Sequence, residues 1–270
     1  MSIARVGDIN IEYYVEGDGP PLLMIHGFSL SANDWGEPFL KELRPHFRVV
    51  RFSNRGTGLS DKPDAEYSIR MMADEAAGLL KELDVPNAHV FGISMGAAIA
   101  QELALNHREL VRGLVLGCST CGGTHRVPAE PEAIALLALT PELTREDQIR
   151  RSWPAFLTPG FIDREPDFLE EMLRTSLEHP TPLHATSRQL VAAMQHSSYE
   201  RLPNIQSPTL IVHGDKDRVS PVQNGHILHD RIPNSTLQIL PDVGHGFFWE
   251  KPKESGEAIV KFLSSVPAPA

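Results

Sequence analysis

Six short apolar runs recur along the chain: PLLMIH (21–26), FRVVRF (47–52), HVFGI (89–93), LVLGC (114–118), TLIVH (209–213) and TLQIL (236–240). They do not alternate apolar with polar residues, so as strands they have no solvent face. Such runs belong to sheets covered by helices on both faces, which are mostly parallel. Helical patterns lie between most of them. Ser68 is placed to cap SIRMMADEAAGLLKEL (68–83), AAIAQELALNH follows Ser94, PVQNGHILHDRI follows the fifth run and KPKESGEAIVKFL follows the sixth. This alternation predicts a doubly wound, mostly parallel α/β sheet, in which ligands bind beyond the carboxyl ends of the strands. Ahead of it, the Gly7-Asp8 turn and the alternation from Ile9 to Glu16 predict a hairpin that buries Ile9, Ile11, Tyr13 and Val15.

One interval breaks the pattern. Between about Gly122 and Arg201 no convincing strand occurs, while PEAIALLAL (131–139) and DFLEEMLRTSLEH (167–179) have helical spacing and WPAFLTPGF (153–161) reads as a loop or broken turn. A structureless loop of that length is foreign to a compact domain. The expected organisation is therefore a core domain, 1–121 and 202–270, with a helical cap, 122–201, inserted into it.

The third run ends in Gly92-Ile93-Ser94-Met95-Gly96 and passes directly into a helical pattern. Glycine is unfavourable inside regular structure because it loses the most backbone freedom on folding. Glycines two residues before and two after Ser94 fit a sharp strand-to-helix turn that lifts the serine above the sheet edge and crowds its flanks, the nucleophile elbow G-x-S-x-G. By itself the motif is weak, since small-residue turns containing serine are common; the strand before it and the helix after it supply its context. Ala97, Ala98 and Ala100 keep that helix slim, and its N-terminus adds partial positive charge where an anion would develop.

A serine hydroxyl needs a base to become a nucleophile, and the base needs an acid to fix its tautomer. His245, in LPDVGHGFFWEKP just past the last run, lies at the same end of the sheet as Ser94. TLIVHGDKDRVSP places Asp215 and Asp217 directly after the fifth run, and Asp217 is the chosen acid, with Asp215 read as turn-stabilising. The stretch after the fourth run, Cys118-Ser119-Thr120-Cys121, offers no carboxylate before Glu130.

With these residues in place the sequence resembles the α/β-hydrolase superfamily, specifically its cap-bearing serine esterases and lactonases. The likeness covers nearly the whole chain and rests on HGF (26–28), RGTGLSD (55–61), GISMG (92–96), HGDKDRVSP (213–221) and VGHGFFWEKP (243–252), in the family's order. It implies that Ser94, Asp217 and His245 form the triad, in agreement with the choice of Asp217. It also implies that the backbone N–H groups of Phe28 and Met95 form the oxyanion hole, and that no metal or organic cofactor is required. The implied substrate is a small-molecule ester or lactone. Cofactor-free perhydrolases and carbon–carbon bond hydrolases share the triad, and receptor-like members sense ligands with little turnover. Ser94 argues against relatives with an aspartate at the elbow. One departure stands out: the family's usual Asp two residues before the Arg of R-G-x-G is Ser53 here, which puts the local loop geometry in question.

Twenty-five basic against 35 acidic residues give a formal charge of −10, which argues against nucleic acid or an anionic membrane as the main partner. Two cysteines make no disulfide framework, and no stretch reads as a signal peptide or membrane span, so a cytoplasmic location is expected. Cys118 and Cys121 are read as buried or pocket-edge thiols, His226 and His229 as a solvated helix face, and His26 as a loop support. Oligomeric state is not legible.

Overall fold

Gly7, with φ 56, and Asp8 turn β1 (Ser2–Val6) into β2 (Ile9–Glu16), the antiparallel hairpin expected at the N-terminus. The computed structural model describes residues 1–138, 140 and 142–267. Six further strands follow: β3 (Pro21–Ile25), β4 (Arg48–Phe52), β5 (Ala88–Ile93), β6 (Val111–Gly117), β7 (Thr209–Gly214) and β8 (Ser235–Leu240). They join the hairpin in one sheet of order β1-β2-β4-β3-β5-β6-β7-β8. β2 pairs antiparallel with β1 and β4, and every pairing from β4 to β8 is parallel.

Alternate residues of each central strand enter two separate cores. Leu23 and Ile25 pack with α2 (Ile69–Glu82) and α3 (Met95–Asn106) on one face; Leu22 and Met24 pack with α1 (Glu37–Leu43) and the C-terminal helix on the other. Burying each large apolar side chain contributes about 1.5–3 kcal/mol, so two-sided coverage explains the unbroken apolar runs. The last run is different. TLQIL lies in β8, an edge strand, and Ile239 is 40% exposed, so this strand is not buried on both faces. The hairpin also departs from simple alternation: Glu12, on the polar side of the pattern, is fully buried, and Val15 is exposed.

Between β6 and β7 the described residues form five α-helices: α4 (Pro131–Leu137), α5 (Arg145–Phe156), α6 (Pro159–Arg164), α7 (Pro166–Glu178) and α8 (Leu183–Gln195). The expected helix at 131–139 ends at Leu137, and its Leu139 lies outside the described residues. The expected loop at 153–161 is instead the end of α5 and the start of α6. Thr144 caps α5 by accepting the Asp147 N–H at 3.1 Å. Pro154 stands in its last turns, where only one intrahelical hydrogen bond is forfeited. Three helices complete the chain: α9 (Gln223–Arg231), α10 (Phe247–Glu250) and α11 (Pro252–Ser265). Among the described residues no helix is long and apolar enough to cross a membrane.

Candidate active site

Ser94 sits between β5 and α3 with φ 55 and ψ −122, a conformation that non-glycine residues adopt only when their surroundings force it. The glycines around it explain how. A Cβ on Gly92 would lie 2.6 Å from the carbonyl carbon of Gly96 and 2.8 Å from the Cα of Ala97. One on Gly96 would lie 2.6 Å from the His26 carbonyl oxygen and 2.7 Å from the Ile25 carbonyl carbon. Strand and helix thus touch backbone to backbone, and α3 leans directly on the end of β3. The Ser94 N–H donates to Gly117 O at 2.9 Å, tying the elbow to β6.

The HGF loop continues from β3 and lies against the serine: a Cβ on Gly27 would meet Ser94 Cβ at 3.2 Å and Oγ at 3.8 Å. Burial pushes the His26 imidazole down to about 4, with Asp34 offsetting only part of the effect. It is therefore neutral at pH 7, and its Nδ1 accepts the Gly27 N–H at 2.7 Å, as the loop-support reading expects. Neither Phe28 N–H nor Met95 N–H donates to a protein acceptor among the described residues. Both donors are uncommitted beside Ser94.

Asp217 follows β7 and His245 follows β8, and the two meet. His245 Nδ1–H donates to Asp217 Oδ2 at 2.8 Å. The other carboxylate oxygen accepts the N–H groups of Val219 at 2.9 Å and Ser220 at 2.8 Å. Burial alone would raise this carboxyl. The charge of His245 and hydrogen bonds from His213 and His245 outweigh it and hold Asp217 well below the usual carboxylate range. Asp215 makes no contact of this kind; it pairs with Lys216 at 3.1 Å. The Ser94 hydroxyl has no hydrogen-bond partner among the described residues, and such bonds are often long in unliganded enzymes and tighten around the substrate.

Several contacts at the site are not legible in the sequence pattern. His213 Nε2 donates to Ser220 O at 2.6 Å and lies 3.4 Å from Asp217 Oδ2, the same oxygen that His245 reaches. Glu250 accepts Gly244 N–H at 2.7 Å through one oxygen and the Thr158 hydroxyl through the other, joining the His245 loop to the insertion. The Phe156 ring, at the end of α5, lies 5.7 Å from that of His245. Glu12 answers the question raised by Ser53. Its carboxylate accepts Ser53 Oγ–H at 2.7 Å and Leu59 N–H at 2.9 Å, so the negative charge absent at 53 arrives from the neighbouring strand.

Cys118, Asp217 and His245 are the one group of described residues whose ligand atoms approach closely enough to hold a metal, all within 4.8 Å of one another. The donor chemistry fits poorly: burial, reinforced by Asp217, pushes the Cys118 thiol well above its ordinary value, and both Asp217 oxygens are already engaged. Cys118 and Cys121 are both free and buried, and His226 and His229 are exposed on α9.

Residues 20–252 match the family model for the alpha/beta hydrolase fold. A poly(3-hydroxyalkanoate) depolymerase from Ectopseudomonas oleovorans is 30% identical over 248 residues, covering 90% of this chain and 84% of its own. Among solved structures, the esterase EaEST from Exiguobacterium antarcticum superposes with a TM-score of 0.86 at 25% identity, covering 98% of this chain and 99% of its own. Est816, described as an N-acyl homoserine lactone degrading enzyme, superposes with a TM-score of 0.81 at 29% identity, covering 97% of this chain and 100% of its own.

Proposed function

Because the chain belongs to the α/β-hydrolase fold family, we propose that it is a serine hydrolase cleaving small or medium carboxylic esters or lactones through an acyl-enzyme. The observation that carries the reading is the Asp217–His245 hydrogen bond at the sheet end where Ser94 stands on its elbow against Gly27. Ser94 Oγ attacks the carbonyl carbon while its proton passes to His245 Nε2. Asp217 holds the imidazole with Nδ1 protonated and stabilises the imidazolium that forms. The tetrahedral oxyanion accepts hydrogen bonds from Phe28 and Met95 N–H, each such donor being worth about 10²–10³ in turnover in comparable sites. His245 then returns its proton to the leaving alkoxide, releasing the alcohol, or opening the ring of a lactone. Water repeats the sequence on the acyl-enzyme and frees the acid and Ser94.

Substrate class is supported by the apolar residue beside His245. Half-buried Phe156 beside His245, backed by buried Leu157 against Gly246, brings an apolar side chain from the insertion to the His245 loop, which suits an apolar acyl or alcohol group. The similar depolymerase and lactone-degrading enzyme are named for substrates with carboxylic ester linkages, open and cyclic. The test is hydrolysis of p-nitrophenyl esters from acetate to decanoate and of simple lactones, by wild type and Ser94→Ala. Loss of the nucleophile costs about 10⁶ in turnover in subtilisin, so a fall of three decades or more with a chain-length optimum supports the proposal. Equal rates in the two proteins overturn it. Inactivity of both towards every ester and lactone favours carbon–carbon bond cleavage, peroxyacid formation or ligand sensing on the same residues.

A further inference from the structure

Ser29 follows Phe28, and its φ of 62 is in the left-handed region that a serine occupies only under constraint. Every polar group of Ser29 is held by the helical insertion. Its N–H donates to Gln189 Oε1 at 2.8 Å, its hydroxyl pairs with Thr186 Oγ1 at 3.1 Å, and its carbonyl accepts from Thr181 Oγ1 at 3.1 Å. Gln189 and Thr186 lie on the buried face of α8, and Gln189 is fully buried. Its amide is oriented without ambiguity, because Nε2 donates to Arg55 O at 2.8 Å while Oε1 receives the Ser29 N–H. Arg55 is itself fixed by its ion pair with Glu75, so the far end of the brace is anchored.

We propose that Gln189 is the positioning residue of the oxyanion hole. It touches no substrate. By taking the Ser29 N–H and holding Ser29 left-handed, it fixes the Phe28–Ser29 peptide and with it the Phe28 Cα, on which the adjoining Gly27–Phe28 peptide and its Phe28 N–H, a donor with no acceptor among the described residues, depend. Released from Gln189, Ser29 relaxes to negative φ, the Phe28–Ser29 peptide rotates, and the accompanying shift of the Phe28 Cα carries the Phe28 N–H of the adjoining Gly27–Phe28 peptide off the line along which the oxyanion forms. The insertion thereby acts on the chemical step as well as on substrate selection, through a residue 160 positions away in sequence from the loop it holds.

The inference rests on the serine-hydrolase reading, and its test separates the two. Gln189→Met keeps the shape and removes both hydrogen bonds; Gln189→Glu keeps the acceptor for Ser29 N–H. With p-nitrophenyl acetate, Gln189→Met is expected to lose about 10- to 100-fold in kcat/KM, below or at the lower end of deleting a donor outright. The loss falls on kcat, with KM within about twofold, as expected for an interaction made only in the transition state. The affinity of an alkyl trifluoromethyl ketone, which adds to Ser94 and places an oxyanion in the hole, falls by the same factor. Binding of the product alcohol does not change. Gln189→Glu retains activity within about fivefold of wild type. Thr186→Val, a milder change at the same loop, shows the same pattern at smaller amplitude and serves if Gln189→Met does not fold. Wild-type kcat/KM in Gln189→Met, or a loss carried by KM with ketone affinity unchanged, overturns the inference. Wild type that neither hydrolyses the ester nor binds the ketone overturns the hydrolase reading itself.

Discussion

Gly96→Ala adds one methyl group at the point where α3 rests on β3. Its Cβ would stand 2.6 Å from His26 O and 2.7 Å from the Ile25 carbonyl carbon, and would also meet Ile25 O. Carbon contacts settle at about 3.5 Å, so the misfit is about 0.9 Å against His26 O and larger still against Ile25 O, with no side chain free to swing away. The N-terminus of α3 must lift off the end of β3. Ser94 and Met95 N–H move with the helix, while Gly27 and Phe28 N–H stay with the strand. A misplacement of about 1 Å costs about 10² in rate, so kcat/KM for p-nitrophenyl acetate should fall about 100-fold. Overpacking of this kind costs about 1–3 kcal/mol, which for a domain of this size lowers Tm by about 2–10 °C. The protein remains folded and slow. Activity within threefold of wild type, or a collapse of folding with no soluble product, would refute the picture of a backbone contact that sets the distance between the two oxyanion donors.

Three other outcomes follow from the same geometry. Asp217→Asn leaves His245 facing an amide that can donate, which favours the wrong tautomer, and turnover should fall about 10⁴-fold; a loss under tenfold in steady-state ester hydrolysis would remove Asp217 from the triad. Ser53→Asp forces a second carboxylate against buried Glu12 and should destabilise by about 3–5 kcal/mol, while Glu12→Gln in the same chain should recover most of that; thermal melting of the two single and the double variant tests this, and simple additivity contradicts it. Burial pushes His26 and His89 from 6.5 to about 4, so between those values the unfolded chain binds the protons that the folded chain refuses. Stability therefore rises with pH through this window and is lost on acidification, by about 3 kcal/mol for each histidine at about 1.4 kcal/mol per pH unit; urea unfolding that is flat from pH 6.5 to 4.5 would contradict the assignment.

The sheet was legible because two-sided burial writes itself into β3 to β7 as unbroken apolar runs, and the elbow because only glycine fits where Gly92 and Gly96 touch backbone. What stayed hidden has specific causes. β8 has an apolar run but lies at the sheet edge, a matter of topology that its composition does not carry. Helix α8 shows no clean stripe, since Ala185 and Ala192 face inward while Leu183, Leu190, Val191 and Met194 are exposed. Ser53 looked like a lost charge, yet Glu12 supplies it from 41 residues away. Gln189 was invisible for the same reason: its partners are backbone groups of Ser29 and Arg55 brought near only by the fold.

The central claim is that Ser94 itself becomes acylated. Rapid quenching of wild type with p-nitrophenyl butyrate, followed by intact-mass and peptide analysis, measures it directly. The account predicts a burst of p-nitrophenol with a butyryl adduct on the peptide that carries Ser94, absent in Ser94→Ala and formed far more slowly in His245→Asn. Turnover of the ester with acyl label on another residue, or an undiminished rate in Ser94→Ala, would contradict it.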